Sequence, residues 1–518
     1  MAELKGKILL LFLFLSFLAF ASSRIIDNHP EFLDKIENIL HKSESDSKYW
    51  EKIGKKVVKE NVKKFKNQKV AKNLILFIGD GLGISTTSAA RSYLGDVNKN
   101  LAYETLPSVG MAKTYCIDGQ VADSACTATA YLCGVKGNLY TIGVNGKVPD
   151  GVCTFSKKNR TPSIAKWALD AGKAAGLVTT TRVTHASPAG VFGHTSDRNF
   201  EHDAAVLDSG CDPKITEDLA EQIIRNDVGS KLKVILGGGR ENFRPKTAID
   251  EEGKPGKRLD GVDLIEEWKK SKKGKGKFVW NREELLKINP KNTSHVLGLF
   301  EANHLLYNLE VQEQGREHLE PTLAELVEKA IEVLSSEKKG YFLFVEGGRI
   351  DHAHHDTLAK RSLDETVEFS KAIQAAMDKV NMKETLIVVS ADHSHAFSYS
   401  GYPERDADIL GTTSELAEDG LSSMFLGYAN GKGYYTHVKE EGGRVDPKPL
   451  PRPSTFRYPA TVPLPSETHG GEDVGVYAGG PWAELFTGII EQHAIPHLMA
   501  YAACIGDGKK ACDKMENL

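Results

Sequence analysis

Acidic residues and histidines follow several apolar runs of the sequence, at the points where predicted strands end. Asp80 follows the run 74–78, and Glu346 follows the run 341–345. Further residues of these types come after the run 341–345, after the run 386–389 and in a late loop: Asp351, His352, His354 and His355; Asp392, His393 and His395; and His469. In open α/β sheets, ligands bind outside the carboxyl ends of the strands, so we expect these side chains to meet at one sheet edge.

This combination of residue types predicts a site for several metal ions. For any one of these residues, a role as a cap, a turn residue or a surface group is the better explanation. Taken together, however, neighbouring carboxylates repel one another and cost stability unless a cation neutralises them. Carboxylates with imidazoles suit zinc, whereas an all-oxygen set that includes a hydroxyl suits magnesium.

Ser124 is the candidate nucleophile. The small residues after it predict a helix that begins at Asp123 or Ser124. A helix N-terminus offers unpaired N–H groups and the positive end of the helix dipole to a phosphate. On this motif alone, a plain helix cap is the better interpretation.

The apolar runs alternate with segments of helical period along most of the chain. The runs are 74–78, 176–180, 234–236, 341–345 and 386–389. The helical segments between them are 162–175, 215–224, 322–336 and 362–380. Continuous apolar strands that alternate with helices predict an α/β fold, with a large, mostly parallel central sheet and helices on both faces.

Two segments depart from this alternation. Residues 24–71 are charged and have helical period, which predicts an N-terminal helical arm packed on the body or on a partner subunit; membrane-surface binding is the less favoured alternative. Residues 399–466 are rich in Gly and Pro, which predicts a loop-rich, crown-like insertion with no strand of the main sheet. The catalytic domain is then expected at 72–398 and 467–512, followed by a polar tail at 513–518.

The overall charge gives no indication of a nucleic-acid partner or of an acidic membrane surface. The chain has 518 residues, a net charge of -4 and 40% hydrophobic residues, which is enough for a large packed core. Its one basic run, 269–277, is interrupted by glycines, and we interpret it as a solvated loop.

The N-terminus has the pattern of a secretory signal peptide. Lys5 and Lys7 precede the apolar run 8–20, and small residues follow it, so residues 1–23 are expected to be removed; an uncleaved anchor is the alternative. Sequons at Asn159 and Asn292 predict glycosylation, in agreement with this route. The last residues are polar, whereas a glycosylphosphatidylinositol anchor needs a hydrophobic tail, so we expect a secreted, extracellular protein without a membrane anchor.

Seven cysteines in an oxidising compartment predict disulfides and, because seven is odd, at least one free thiol or intermolecular bond. Cys504 and Cys512 are close enough in sequence to close a small C-terminal loop. Spacing alone leaves the other pairings open.

From about Lys72 to Cys512 the chain resembles animal alkaline phosphatases, in particular a soluble, invertebrate-like form. The resemblance rests on long segments in matching order, among them NLILFIGDGLG, DSACTATAYLCGVKGN, TTTRVTHASPAG, HTSDRN, FLFVEGGRIDHAHH, SADHSHAFSYSGYP and ETHGGEDVGVYAGGP. It implies hydrolysis of small phosphate monoesters over a broad range, through a phosphoserine at Ser124, with two zinc ions and one magnesium ion.

The resemblance also assigns residues to each ion. The first zinc ion is expected on Asp351, His355 and His469, the second on Asp80, Asp392 and His393, and magnesium on Asp80, Ser187 and Glu346. Arg198 matches the arginine that holds the phosphate, a task that suits its planar, two-pronged guanidinium. His185 and His352 are expected near magnesium and phosphate, and His395 beside the second zinc ion.

Outside the catalytic site, the resemblance implies a calcium site, a dimer and three disulfides. Calcium ligands map onto Glu252, Glu301, Glu320 and the backbone carbonyl of Phe300. Tyr402 occupies the position of a tyrosine that reaches the active site of the partner in a homodimer. The implied disulfides are Cys153–Cys211 and Cys504–Cys512; Cys116 and Cys126, which depart from the vertebrate pattern, are expected to pair with each other, leaving Cys133 free and buried.

Three kinds of function remain in competition at this stage: a phosphomonoesterase, a related metal hydrolase that acts on sulfate esters or phosphodiesters, and a binding or receptor protein. A sulfatase needs a modifiable residue in a C/S-x-P-S/A-R setting, and the segment after Ser124 lacks that Pro and Arg. A phosphodiesterase usually has a Thr nucleophile and does not need an equivalent of Arg198. A binding or receptor protein on the same fold is not expected to keep every metal ligand, as this chain does.

Overall fold

A ten-stranded mixed sheet forms the centre of the computed structural model, which describes residues 67–509. The predicted signal peptide, nearly all of the predicted arm, the polar tail and Cys512 lie outside these residues. In chain order the strands are β1 (Asn73–Gly79), β2 (Ser108–Lys113), β3 (Ala174–Arg182), β4 (Val234–Gly238), β5 (Gly276–Val279), β6 (His295–Leu299), β7 (Tyr341–Gly347), β8 (Thr385–Ala391), β9 (Ser394–His395), β10 (Phe397–Tyr399), β11 (Thr412–Leu416), β12 (Ser422–Met424), β13 (Leu426–Asn430), β14 (Ala460–Val462), β15 (His469–Gly470), β16 (Val474–Gly479) and β17 (Gly488–Glu491).

The strand order of the large sheet is β17-β2-β16-β8-β1-β7-β3-β4-β6-β5. The pairs from β8 to β5 are all parallel, and so is the pair β2 and β17. Only β16 runs antiparallel to its neighbours β2 and β8. The predicted mostly parallel sheet is therefore confirmed, and its five predicted strands correspond to β1, β3, β4, β7 and β8.

Helices cover both faces of this sheet. In chain order they are α1 (Ile84–Tyr93), α2 (Ser124–Cys133), α3 (Ile164–Asp170), α4 (Ala186–Ala189), α5 (Asp203–Asp208), α6 (Leu219–Arg225), α7 (Leu264–Ser271), α8 (Arg282–Leu286), α9 (Asn308–Glu313), α10 (Leu323–Leu334), α11 (Arg349–His355), α12 (Ala359–Lys379), α13 (Tyr434–His437) and α14 (Ala494–Ala503). No helix within residues 67–509 is both long enough and apolar enough to cross a membrane.

Side-chain alternation in neighbouring strands shows why two helical layers form. Phe77 of β1 contacts Phe369 of α12 edge to face, whereas Phe344 of β7 stacks on Tyr131 of α2. Phe77 is paired with Val345 in the parallel register, so Phe344 points to the opposite face. Every residue of β7 and β8 is buried, as expected for strands covered on both sides.

The central parallel strands end where the polar residues begin. Asp80 follows β1 directly, Asp392 follows β8 directly, and Glu346 is the penultimate residue of β7. Because β8, β1 and β7 are adjacent and parallel, their carboxyl ends bring these three residues to one sheet edge.

Residues 399–466, which were predicted to be a loop-rich insertion, contain no strand of the large sheet. They do contain shorter strands. These are β11, β12, β13 and β14, which form two small sheets, one of them together with β10.

The basic run 269–277 was expected to be a loop; it instead contains the end of α7 and the start of β5. None of its residues is buried, so the expectation of a solvated segment was correct.

Two disulfides lie within the described residues. Cys116 pairs with Cys126, which is the third residue of α2, and Cys153 pairs with Cys211. Cys133 is free and buried, as expected. Cys504 is also disulfide-bonded, and its expected partner lies beyond the described residues.

Gly134 follows the last residue of α2, and its substitution tests how closely the C-terminal end of this helix packs against its surroundings. Its φ is +69°, and a Cβ there would lie 2.3 Å from His497 Nε2. We expect Gly134→Ala to destabilise the fold by about 1–3 kcal/mol, because left-handed strain and a steric clash add together. Gly151→Ala is the matched control: its φ is +72° with no atom within 4 Å, so it isolates the strain. Thermal unfolding should give a larger loss for Gly134→Ala; equal losses would contradict this account.

Candidate active site

The candidate nucleophile is held at the start of a capped helix. Asp123 is the N-cap of α2, and its carboxylate accepts hydrogen bonds from the backbone N–H groups of Ala125 and Cys126, each at 3.2 Å. The adjacent Ser124 is almost fully buried. Its Oγ lies 3.2 Å from His393 Nε2 and 3.5 Å from Asp80 Oδ1, so the hydroxyl faces the residues at the strand ends.

Two imidazoles converge on Asp351. His355 Nδ1 lies 2.6 Å from the carbonyl oxygen of Glu467, and His469 Nδ1 lies 2.7 Å from that of Ala122. A carbonyl oxygen can only accept, so each ring carries a proton on Nδ1 and, when neutral, a lone pair on Nε2. The two Nε2 atoms are 3.1 Å apart, and each is 3.4 Å from an oxygen of Asp351. Such a cluster of acceptors requires a proton or a cation between its members.

A second convergence involves His393. Its Nδ1 faces the carbonyl oxygen of Ser394 at 3.2 Å, which again turns Nε2 toward carboxylates. That Nε2 lies 3.0 Å from Asp392 Oδ2 and 3.7 Å from Asp80 Oδ1. The other oxygen of Asp392 accepts from the backbone N–H of Gly81 at 2.9 Å, which fixes the carboxylate. Ser124 Oγ faces this group.

A third group combines Asp80 with Glu346 and His185, whose ligand atoms lie within 4.8 Å of one another. The hydroxyl of Ser187, the other expected magnesium ligand, is buried beside Glu346 and acts to lower the pKa of that carboxyl. Glu346 Oε2 accepts hydrogen bonds from the hydroxyls of Thr179 and Thr181, the latter at 3.0 Å. Its Oε1 is buried and receives no hydrogen bond from any described residue, and the same holds for Asp80 Oδ2 and Asp392 Oδ2. A carboxylate oxygen left in this state in a protein interior costs free energy unless an ion binds it.

The pKa values of these carboxylates also show that their negative charges need compensation. Burial, together with the negative charges of Asp392, Asp351 and Glu346, raises the pKa of Asp80 well above its usual value. Burial likewise raises the pKa of Glu346 to about 7. For Asp392 burial acts in the same direction, but the neighbouring His393 outweighs it and lowers the pKa to about 2. Ionised carboxylates at this edge therefore depend on positive charge beside them.

Arg198 points into the site from the sequence segment after α4. Its Nη1 donates to Asp123 Oδ2 at 2.8 Å, and its Nη2 lies 3.3 Å from His185 Nε2. Asp123 therefore contacts both the helix that begins at Ser124 and the guanidinium. This arrangement fixes the direction of Arg198 relative to the hydroxyl.

His395 lies close to both of the first two groups. Its ring centroid is 5.7 Å from that of His393, a proposed ligand of the second zinc ion, and its Nε2 contacts Asp351 Oδ1 of the first group at 2.6 Å. Its Nδ1 contacts Glu467 Oε2 at 2.5 Å. Burial opposes protonation of this ring, but the carboxylates of Glu467 and Asp351 raise the pKa of His395 to about 10. The antiparallel pairing of His395 with His469 in β9 and β15 accounts for this position.

Sequence reasoning missed two residues of the site, Glu467 and His304. Glu467 contacts His395 through its side chain and His355 through its carbonyl oxygen. The ring centroid of His304 lies 4.3 Å from that of His352 and 5.4 Å from that of His185. A polar residue directly before Thr468-His469 was the available signal for Glu467; His304 follows β6 and carried no comparable pattern.

The remaining predicted residues are not members of these groups, although the ring centroid of His354 lies 4.8 Å from that of His395. His354, in the same segment as Asp351, is buried among the hydroxyls of Thr86, Ser362 and Tyr428 and has a structural role. Tyr402 is 85% exposed. Of the two sequon residues, Asn292 is exposed and Asn159 is half-buried.

Of the predicted calcium ligands, Phe300 and Glu301 follow β6, and Glu320 precedes α10. Glu252 and Glu301 both accept hydrogen bonds from Arg316, at 2.7 and 2.5 Å. The guanidinium of Arg240 donates to the other oxygen of Glu252 at 2.5 Å. Burial, foremost, and the nearby Glu301 raise the pKa of Glu320 to about 9.

Known proteins resemble this chain over nearly its whole length. The family model described as "Alkaline phosphatase" matches residues 71–505. The membrane-bound alkaline phosphatase of Bombyx mori is 46% identical over 487 residues, which cover 91% of this chain and 88% of that protein. The tissue-nonspecific isozyme of Rattus norvegicus is 42% identical over 495 residues, which cover 92% of each.

Solved structures share the fold. The alkaline phosphatase of Thermus thermophilus superposes with a TM-score of 0.60 at 23% identity, covering 84% of this chain and 92% of that one. A His-to-Asp variant of the TAB5 alkaline phosphatase, described with magnesium bound in its M3 site, has a TM-score of 0.58 at 23% identity, covering 85% and 99%. By its sequence match to the family and its identity to these relatives, the chain belongs to the alkaline phosphatases, metal-dependent enzymes that hydrolyse phosphate monoesters.

Proposed function

We propose that Ser124 is the nucleophile with which this phosphomonoesterase forms a phosphoserine intermediate. The observation that carries the proposal is the position of its hydroxyl, at the N-terminal end of α2 and 3.2 Å from His393 Nε2, facing the carboxylates and imidazoles of the strand ends. A nucleophile needs an activating group at about this distance and a rigid support, and α2 with its Asp123 cap supplies the support.

The reaction proceeds in two displacements at phosphorus. Ser124 Oγ bonds to phosphorus as the bond to the ester oxygen breaks; the serine hydroxyl gives its proton to solvent, and the leaving oxygen takes up a proton from solvent to become the alcohol. Water then attacks the phosphoserine, the bond between phosphorus and Oγ breaks, and Ser124 regains a proton as inorganic phosphate departs. The guanidinium of Arg198, held by Asp123, binds two non-bridging phosphate oxygens and keeps the phosphorus in line with Ser124.

We propose further that two zinc ions and one magnesium ion occupy the three groups of acceptors. The proposed ligands are Asp351, His355 and His469 for the first zinc ion; Asp80, Asp392 and His393 for the second; and Asp80, Ser187 and Glu346 for magnesium. The buried carboxylate oxygens without a donor and the converging Nε2 atoms fit this assignment. When bound, such ions lower the pKa of a bound hydroxyl or water and neutralise charge on the leaving oxygen.

Because the recognised group is the phosphoryl group, the alcohol part of the substrate is weakly selected, and a broad substrate range follows. Arg198 favours monoesters over diesters, since a monoester dianion carries more negative charge on its non-bridging oxygens than a diester monoanion does. One alternative is a sulfatase or phosphodiesterase activity on the same fold. A further alternative is a docking role, which is compatible with intact catalysis.

We also propose that the chain is secreted, glycosylated at Asn159 and Asn292, and homodimeric. The signal-like segment 1–23 and the sequons support the first two points, and family membership supports the third. Tyr402 is exposed, as a residue that contacts a partner subunit must be in the isolated chain. Sedimentation velocity of the protein recovered from culture medium checks the dimer, and a monomer would contradict it.

The role of Ser124 is tested by Ser124→Ala. We expect at least about a thousandfold loss of phosphate release from an aryl phosphate at alkaline pH, because no other group replaces the attacking oxygen. Ser370→Ala, which removes a buried hydroxyl on α12 that accepts from the N–H of Ala102, should retain activity. Wild-type activity in Ser124→Ala would remove this residue from its role. A higher kcat/KM for an aryl sulfate or a phosphodiester than for the monoester would favour the alternative activities.

The proposed ion assignment is tested by metal analysis of Glu346→Gln. After dialysis, the wild-type chain should retain about two zinc ions and one magnesium ion. The variant should lose magnesium and keep zinc, because the amide removes a negative charge from the all-oxygen group alone. Glu365→Gln is the control: Glu365 is also a buried carboxyl, accepting from the N–H of Asn308, and lies outside these groups. Magnesium retained by Glu346→Gln would contradict the assignment.

A further inference from the structure

A second acidic cluster lies beyond the ends of β4 and β6, on strands further along the sheet than those that carry the catalytic groups. We call it the β4–β6 cluster and define it by Asp250, Glu252, Glu301 and Glu320. Side-chain exposure in it ranges from 2% for Glu320 to 16% for Glu301. Buried carboxylates this close together require positive charge, and the resemblance to animal alkaline phosphatases implied that a calcium ion supplies it.

The cluster contains its own cations. Arg316 Nη2 donates both to Glu252 Oε1, at 2.7 Å, and to Glu301 Oε1, at 2.5 Å, so one nitrogen bridges two of the predicted calcium ligands. Arg316 Nε lies 3.7 Å from the third, Glu320 Oε1. The guanidinium therefore lies among the three carboxylates and is hydrogen-bonded to two of them, whereas Glu320 Oε1 has no hydrogen-bond partner among the described residues.

Arg240 supplies a second positive charge to the β4–β6 cluster. Its side chain is fully buried, and it donates to Glu252 Oε2 at 2.5 Å, to Asp250 Oδ2 at 2.9 Å and to the carbonyl oxygen of Leu299 at 2.7 Å. Both oxygens of Glu252 are thus occupied by guanidinium groups. Glu320 Oε2 is occupied in turn by the N–H of Leu306, at 3.0 Å.

This arrangement does not fit a calcium ion. Calcium takes about six to eight oxygen ligands at roughly 2.3–2.6 Å, and here the shared oxygens already accept from arginine at hydrogen-bond distance. An ion bound to the same oxygens of Glu252 and Glu301 would also lie within a few ångströms of Arg316 and be repelled by it. The expected calcium ligands are present, but a side chain of the protein fills the place of the ion.

We propose that Arg316 serves as the built-in cation of the β4–β6 cluster, so that this part of the fold is stable without calcium. Its backbone position supports this role, because the carbonyl oxygen of Arg316 accepts from the N–H groups of Leu319 and Glu320 in the turn before α10. The guanidinium is therefore anchored beside one of the carboxylates that it neutralises. The inference concerns a site distinct from the catalytic one, and its test does not depend on the identity of the nucleophile.

The test compares Arg316→Ser with the wild-type chain, both with zinc and magnesium held saturating, in the presence and absence of calcium chloride. Wild-type protein should bind no additional calcium at equilibrium dialysis and show an unchanged unfolding midpoint. Without calcium, the unfolding midpoint of Arg316→Ser should lie about 2–4 °C below that of the wild-type chain, because the substitution leaves carboxylates unpaired. Added calcium should restore that loss, with one calcium ion bound per chain.

Two further variants keep the result interpretable. Arg316→Lys retains a positive charge and should remain insensitive to calcium, and it serves if Arg316→Ser does not fold. Arg282→Ser removes a comparable pairing, 2.5 Å from Glu325 and outside the cluster, and should show no response to calcium. Calcium binding or stabilisation in the wild-type chain would overturn the proposal, as would an Arg316→Ser variant whose midpoint calcium leaves unchanged.

Discussion

Repulsion between buried carboxylates is the constraint on which the rest of this structure depends. Asp80, Glu346 and Asp392 are brought to one edge by adjacent parallel strands, and each has an oxygen that receives no hydrogen bond from the described residues. The protein interior screens charge poorly, so such a group is stable only with compensating positive charge. The sheet therefore holds together a set of ligands that would separate in its absence, and the enzyme uses the resulting demand for cations.

The chain meets the same demand in two different ways. At the catalytic edge the Nε2 atoms of His355, His393 and His469 turn toward carboxylates, because each Nδ1 faces a backbone carbonyl oxygen. Imidazoles that present Nε2 toward carboxylates are suited to binding metal ions, and on our assignment exchangeable ions add to the positive charge of Arg198 and of His395, whose pKa is raised to about 10. In the β4–β6 cluster, Arg240 and Arg316 provide positive charge permanently. Exchangeable ions suit chemistry at an open site, whereas a covalently attached guanidinium suits a purely structural position.

Sequence patterns predicted those parts of the molecule that depend on local periodicity. The five buried parallel strands and the residues at their ends were evident, because a run such as 341–345 is apolar throughout and is followed at once by Glu346. The antiparallel strand β16, its neighbour β2 and the edge strand β17 were missed, since their residues alternate or are interrupted by glycine. The role of Glu467 depends on pairing between β9 and β15. The position of Arg316 depends on the turn before α10, which brings its side chain to Glu301. Contacts of that kind are set by tertiary packing and leave little trace in a local pattern.

The central claim is tested most directly by the thermal stability of Asp80→Asn with and without its metal ions. Burial and like charge raise the pKa of Asp80, so the metal-free wild-type fold loses stability as the pH rises above the usual carboxyl range. At about pH 8 and after removal of metals, Asp80→Asn should therefore unfold at a higher temperature than wild type, because one repelling charge is gone. With zinc and magnesium restored, the order should reverse, because the variant lacks a ligand shared by two ions. The same order in both conditions would contradict the claim that cations hold these carboxylates together.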